Sequence, residues 1–289
     1  MALSWARDGA DWPNRELSRF VTTRGNRWHA QRAGSGRRVL LIHGAGASTH
    51  SWRDVLPRLA SDFDVLAMDL PGQGFTTGLA PRFTLPGMAE DLGALLREEE
   101  FTADLVVGHS AGAAIGVRMT IDGHAAPARV LALNGAFAPF GGVAGLLFPP
   151  LAKLLSLNPL VGSAFARTAR APGAVSGLIE GTGSRIDAEG VALYRRLVTD
   201  PGHVTATLGM MARWDLKPLI ADLPRLGAPV TLAVGAKDRA VPPEGTRALA
   251  ERFPDARMEE FQGLGHLMHE EDPERFAAVI GEAAKEGSP

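Results

Sequence analysis

The sequence predicts an α/β protein: a mostly parallel central sheet covered by helices on both faces, with a helical segment inserted late in the strand order. Three observations carry that prediction. Apolar runs such as Val39-Leu40-Leu41-Ile42, Val65-Leu66-Ala67-Met68 and Val230-Thr231-Leu232-Ala233-Val234 lack the polar alternation of a half-exposed strand, so they read as strands buried on both faces. Apolar residues at helical spacing, for example Trp52, Val55, Leu56 and Leu59, separate those runs. Two of the runs stop at glycine-bearing loops, His43-Gly44-Ala45-Gly46 and Asp69-Leu70-Pro71-Gly72-Gln73-Gly74, as buried strands do where the chain must turn tightly.

In chain order, residues 18–23 and 27–32 form two short strands about a turn at Gly25-Asn26. A strand over 37–42, a helix over 49–60 and a strand over 64–68 follow. A helix over 88–97 closes on Glu98-Glu99-Glu100 and precedes a strand at 104–108 and a small-residue helix at 111–120. Further strands are predicted at 130–133, 230–234 and about 257–261, with helices at 243–252 and 273–284. Between 135 and 214 there is no strand signal, only helical pieces at 151–157, 161–170 and 188–198. That predicts a helical cap over 135–214, inserted into a core of 1–134 and 215–289. No repeat or heptad is evident.

The 289 residues carry a formal net charge of −2, so no basic surplus points to nucleic acid or an anionic membrane. The absence of cysteine excludes disulfides, thiolate metal sites and a cysteine nucleophile. The opening Met1 to Asp8 lacks the basic and apolar regions of a secretory signal, which predicts a cytoplasmic location. Residues 130–152 are uncharged and long enough to cross a bilayer, but Pro139, Pro149 and Pro150 would break a spanning helix. A buried strand running into an apolar loop is predicted there, and no membrane span.

Gly108-His109-Ser110-Ala111-Gly112 is a G-x-S-x-G sequence between a strand and a helix, the context in which a serine is held exposed on a strained turn. Ser110 is the candidate nucleophile and needs a base, for which eight histidines compete. His266, in the loop Gly263-Leu264-Gly265-His266 between the last strand and the last helix, is the candidate base. His269 stands beside Glu270 and Glu271 and is predicted on a solvated turn; His43 and His109 precede tight turns and read as structural; His29, His50, His124 and His203 have no motif context. Asp238 comes straight off the strand at 230–234 and is the candidate orienting acid, in the order Ser, Asp, His. No Asp or Glu occurs between Arg129 and Glu180, so the preceding strand end offers no carboxylate. The backbone N–H groups of Ala45 and Ala111 are the candidate oxyanion hole. No phosphate-loop pattern is present, which excludes the common nucleotide sites. A metal site on His266-x-x-His269-Glu270 is disfavoured because no second ligand cluster accompanies it; no metal or cofactor is predicted.

With these motifs the whole chain resembles the α/β-hydrolase superfamily, through His43-Gly44, Asp69 to Gly74, the turn at Ser110, Asp238 and His266. Trp12-Pro13-Asn14-Arg15, Arg27-Trp28-His29-Ala30-Gln31 and the run from Leu41 to Trp52 look, more narrowly, like the magnesium-chelatase accessory family of bacteriochlorophyll biosynthesis. The first resemblance implies an α/β-hydrolase fold and a serine hydrolase acting on a carboxylic ester. The second implies a small-molecule substrate such as a porphyrin ester, with magnesium chelatase subunits as partners. Trp52, His109, Phe137, Phe148 and Trp214 are the candidate lining of the substrate pocket. Two other functions are compatible with the residues, a non-catalytic tetrapyrrole carrier and a general carboxylesterase. Haloalkane dehalogenases and epoxide hydrolases fit less well, because they place aspartate where Ser110 stands and Tyr194 is the sole tyrosine.

Overall fold

The computed structural model describes residues 3–138 and 159–286. The chain enters through a short helix α1 (Trp5–Asp8) and a hairpin of β1 (Ser18–Thr23) and β2 (Asn26–Ala33). It then alternates β3 (Arg37–Ile42), α2 (Val55–Leu59), β4 (Phe63–Met68), α3 (Leu85–Glu98), β5 (Leu105–His109), α4 (Ala111–Ile121) and β6 (Arg129–Leu133). Helices α5 (Pro159–Thr168), α6 (Ala174–Gly181), α7 (Ala188–Val198), α8 (Pro201–Ala212) and α9 (Lys217–Asp222) separate β6 from β7 (Val230–Gly235). The chain closes with α10 (Pro243–Ala250), β8 (Ala256–Phe261), α11 (Met268–Glu271) and α12 (Pro273–Lys285).

Among the described residues the strands form one sheet in the order β1-β2-β4-β3-β5-β6-β7-β8. The first two pairings, β1 with β2 and β2 with β4, are antiparallel, and every later one is parallel. Strand alternation explains why the apolar runs are continuous. Leu40, Ile42, Leu66, Met68, Val106 and Val130 pack on one face with α3 and α4. Val39, Leu41, Val65, Ala67, Val107 and Leu131 pack on the other with α2 and α12. The amphipathic α3 buries Leu85, Met88, Leu92 and Leu95, and its Thr84 cap accepts the Gly87 N–H. Among the described residues no helix is long and apolar enough to cross a membrane.

Two of the element boundaries that differ from expectation have plain local reasons. The turn of the first hairpin is Arg24-Gly25, with φ of 51° and 80°, because Thr23 pairs with Asn26; the predicted Gly25-Asn26 lies one residue too late. The helix predicted over 49–60 is a 3₁₀ turn at Thr49–Trp52 followed by α2. Pro57 has no N–H to donate, so it is tolerated only within the first helical turn, which places the helix start at Val55. The predicted helix at 151–157 lies outside the described residues. Helices α6 and α8 were not expected; Asp200-Pro201 opens α8, with Asp200 Oδ1 accepting the His203 N–H at 2.7 Å.

Candidate active site

Ser110 sits between β5 and α4 at φ 53°, ψ −117°, a strained conformation for a residue with a Cβ. Neighbouring glycines make the turn possible. A Cβ on Gly108 would collide with Ala113, and one on Gly112 would collide with the carbonyl oxygen of Ile42. The Ser110 N–H donates to Leu133 O (2.9 Å) and its carbonyl accepts from Ala136 N–H (3.0 Å), so the turn is tied to the chain leaving β6. As the first helical residue, Ala111 presents an N–H with no intrahelical acceptor.

Asp238 and His266 lie on the loops that follow β7 and β8, neighbouring parallel strands. His266 Nδ1 and Asp238 Oδ2 are 2.7 Å apart, and Asp238 Oδ1 accepts from the N–H groups of Ala240 and Val241 at 2.8 Å. A carboxylate only accepts, so the proton is on Nδ1 and Nε2 is left with its lone pair. Among the described residues no hydrogen bond joins Ser110 Oγ to His266. Such contacts are commonly long in unliganded hydrolytic sites and tighten when substrate binds.

The His43-Gly44-Ala45-Gly46 loop runs close over the serine turn: a Cβ on Gly44 would stand 3.0 Å from Ser110 Cβ. Four side-chain contacts pin that loop. His43 Nδ1–H donates to Gly44 O (2.7 Å), while Nε2 accepts from Leu70 N–H (2.9 Å). Gln73 Oε1 accepts from Gly46 N–H (2.7 Å), and His203 of α8 donates from Nε2 to Gly46 O (3.1 Å). His203 Nδ1 in turn accepts from Gly74 N–H at 3.1 Å. Asp69 anchors the second glycine loop by accepting from Thr49 N–H, Phe75 N–H and His29 Nδ1. Burial alone would raise the Asp69 carboxyl; His29, with His43 and the Phe75 amide, holds it instead at about 2.

Not every predicted site residue lies at the serine. His109 is buried, with its ring 4.7 Å from His266 and 4.6 Å from His269, and Nε2–H donates to His266 O (2.9 Å). That is a support for the His266 loop. Trp52 is enclosed in the apolar cluster with Val55, Leu56 and Phe276, its ring 4.4 Å from His269. Phe137 is likewise core, 5.4 Å from Phe253. Both assignments to a pocket lining are corrected: apolar character at these positions serves packing. Trp214 is half-buried against the same cluster as Phe137, and Phe148 lies outside the described residues.

His269 is also corrected, since it is fully buried and not on a solvated turn. Its Nε2–H donates to Ser51 Oγ (2.8 Å), and Ser51 donates to Glu270 Oε1 (2.7 Å). Glu270 further accepts from Tyr194 OH (2.7 Å) and Arg53 Nη1 (3.1 Å). Sequence reasoning missed Asn134 altogether. Its buried amide donates from Nδ2 to Gly265 O and His266 O, each at 2.9 Å, and accepts Gly235 N–H at 2.7 Å. A polar residue directly after the apolar run Val130-Leu131-Ala132-Leu133 was the one local signal for it.

Acidification is expected to destabilise the fold through these rings. Burial lowers His43 to about 4, partly offset by Asp69, and lowers His269 to about 3, with His266 and Arg53 adding to the effect. Unfolded, each titrates near about 6.5, so below that value the unfolded chain binds more protons than the fold. Their contribution is therefore complete above about pH 6.5 and is lost as pH falls towards 4, at up to about 1.4 kcal/mol per pH unit for each ring. Glu270 works in the opposite sense, because burial raises its carboxyl. Urea denaturation at about pH 7.5 and about pH 5 measures the balance; a midpoint that fails to drop at the lower value contradicts it.

Comparison with known proteins agrees with this architecture. The family model described as "Alpha/beta hydrolase family" matches residues 39–279. The "Magnesium-chelatase 30 kDa subunit" of Rhodobacter capsulatus is 38% identical over 274 residues, covering 94% of this chain and 95% of that protein. A "Pimeloyl-[acyl-carrier protein] methyl ester esterase" of Aeromonas hydrophila is 26% identical over 259 residues, covering 86% of this chain and 96% of that protein. Among solved structures, "Epoxide hydrolase CorEH without ligand" is similar in fold, with a TM-score of 0.76 at 22% identity, covering 92% of this chain and 97% of that one. The chain belongs to the alpha/beta hydrolase family.

Proposed function

We propose that the protein is a serine hydrolase that cleaves a carboxylic ester of a tetrapyrrole. Ser110 attacks the carbonyl carbon, and His266 Nε2 takes the serine proton and returns it to the leaving alcohol. Asp238 keeps His266 in the tautomer that makes Nε2 the acceptor and stabilises the imidazolium that forms. The N–H groups of Ala45 and Ala111 receive the negative charge of the tetrahedral intermediate. Water, activated by the same histidine, then releases the acid and restores Ser110. The single observation that carries this reading is the 2.7 Å pair of His266 Nδ1 with Asp238, which leaves Nε2 unprotonated on a loop bonded to His109, the residue before the strained Ser110.

The tetrapyrrole half of the proposal rests on the Rhodobacter capsulatus relative and its name. Helices α5 to α8 would form the layer over Ser110 that receives the flat ring, and chelatase subunits would be its partners. That same name favours a second reading, a carrier that binds the macrocycle without cleaving it. Fluorescence titration with protoporphyrin, its magnesium complex and its monomethyl ester separates the readings, with release of the acid followed chromatographically. Binding tighter than about 100 μM together with cleavage of the monomethyl ester is the expected result. Tight binding without cleavage gives the carrier. Weaker binding of all three beside rapid cleavage of simple aliphatic esters gives a general carboxylesterase.

A further inference from the structure

The pair of Asp238 and His266 stands on two separate loops, so its 2.7 Å contact depends on whatever holds those loops in register. Part of that work is done within the core. Lys237 N–H donates to Leu264 O (2.8 Å), and Ala236 N–H to Phe261 O (3.0 Å). The rest comes from a stretch of chain far away in sequence, the connection between α6 and α7.

Thr182 O accepts from Arg239 N–H at 3.0 Å. Gly183, at φ +87°, lies so close to Lys237 O that a Cβ there would collide with it. The backbone of Gly183 and Ser184 packs against Gly265, where a Cβ would stand 2.7 Å from Ser184 N. Ser184 is fully buried, and its Oγ accepts from Leu267 N–H at 2.8 Å. Arg185 N–H donates to Glu271 Oε2 (3.2 Å), while Oε1 of that carboxylate accepts from Gly265 N–H (2.8 Å). Four consecutive residues thus grip the neighbours on both sides of each member of the pair: Lys237 and Arg239 around Asp238, Gly265 and Leu267 around His266. Two residues on, Asp187 accepts from Arg53 Nη2 (3.0 Å), and Arg53 also reaches Glu270, which joins the strap to the turn after His266.

We infer that residues 182–185 are a positioning strap that brings the acid loop and the base loop together, so that the chain inserted between β6 and β7 assembles the acid–base pair as well as covering the serine. This rests on the hydrolase reading above only for its effect on turnover; the geometry it explains does not. The residues of the strap touch no reacting atom. They act through the backbone N–H and C=O groups that flank Asp238 and His266.

Ser184→Ala removes the acceptor for Leu267 N–H and leaves every proposed catalytic group in place. The expected result is a fall in kcat of about 10-fold to 10²-fold with KM within about twofold, since the misplaced group acts in the transition state. The His266 ring signals in proton–nitrogen NMR, assigned with His266→Gln, are expected to move or broaden while thermal unfolding stays cooperative. Glu271→Gln, on a half-buried side chain, serves as a milder second variant should Ser184→Ala fold poorly. A folded variant that keeps both wild-type kcat and wild-type His266 signals overturns the inference, even where its melting temperature has dropped. A wild type that cleaves no ester, with His266 signals that still move in the variants, sinks the hydrolase reading and leaves the strap standing.

Discussion

Replacing Ser110 with alanine is expected to lower ester turnover by at least about 10³-fold and to abolish labelling by serine-reactive phosphonates. The fold should survive the change. The strain of φ 53° is a property of any residue with a Cβ, so alanine inherits it without adding to it, and Ser110 Oγ supports no other group through a hydrogen bond among the described residues. Substrate should still bind, because the oxyanion donors are backbone groups and the apolar surroundings are untouched. The loss therefore belongs in kcat. Turnover of a short-chain ester, mass spectrometry of the phosphonate adduct and circular dichroism test the three parts together. Full activity in Ser110→Ala, or an adduct on another residue, removes the nucleophile assignment.

Asp238→Asn is expected to cost nearly as much, about 10³-fold to 10⁴-fold in kcat, although it changes one atom. Asp238 Oδ1 is held by the N–H groups of Ala240 and Val241. An asparagine satisfies those two donors only with its carbonyl oxygen, which turns its NH₂ towards His266 Nδ1. His266 then accepts at Nδ1 and carries its proton on Nε2, the atom proposed to take the proton from Ser110. The geometry is kept and the tautomer is wrong. A variant within about tenfold of wild type would show that Asp238 does not orient the base.

The succession of strands along the chain was legible because the parallel strands β3 to β7 are short apolar runs, split by alternation between the two faces, as Leu40 and Leu41 are; the polar β8 at the sheet edge is not one. Ser110 was legible because a strained turn needs its glycines within two residues on either side. Asp238 and His266 were legible because each follows a recognisable strand. What failed was everything that depends on partners remote in sequence. His269 and Glu270 look solvated beside Glu271, yet their partners Ser51 and Arg53 lie more than two hundred residues away. Gln73, His203 and Ser184 carry no local mark of their contacts with Gly46 and Leu267. Trp52 and Phe137 show the same limit from another side, since an aromatic ring has one composition whether it fills a core or lines a cleft.

Asn134 occupies the end of β6, the place from which a carboxylate would otherwise look towards the base loop. Its NH₂ faces two carbonyl oxygens, those of Gly265 and His266, while its own oxygen receives Gly235 N–H. An aspartate there would set an anion against both carbonyls with nothing to donate. The proposed acid, Asp238, therefore has no alternative seat at the end of β6. Any redesign that moves it must first rebuild the keystone beneath the histidine.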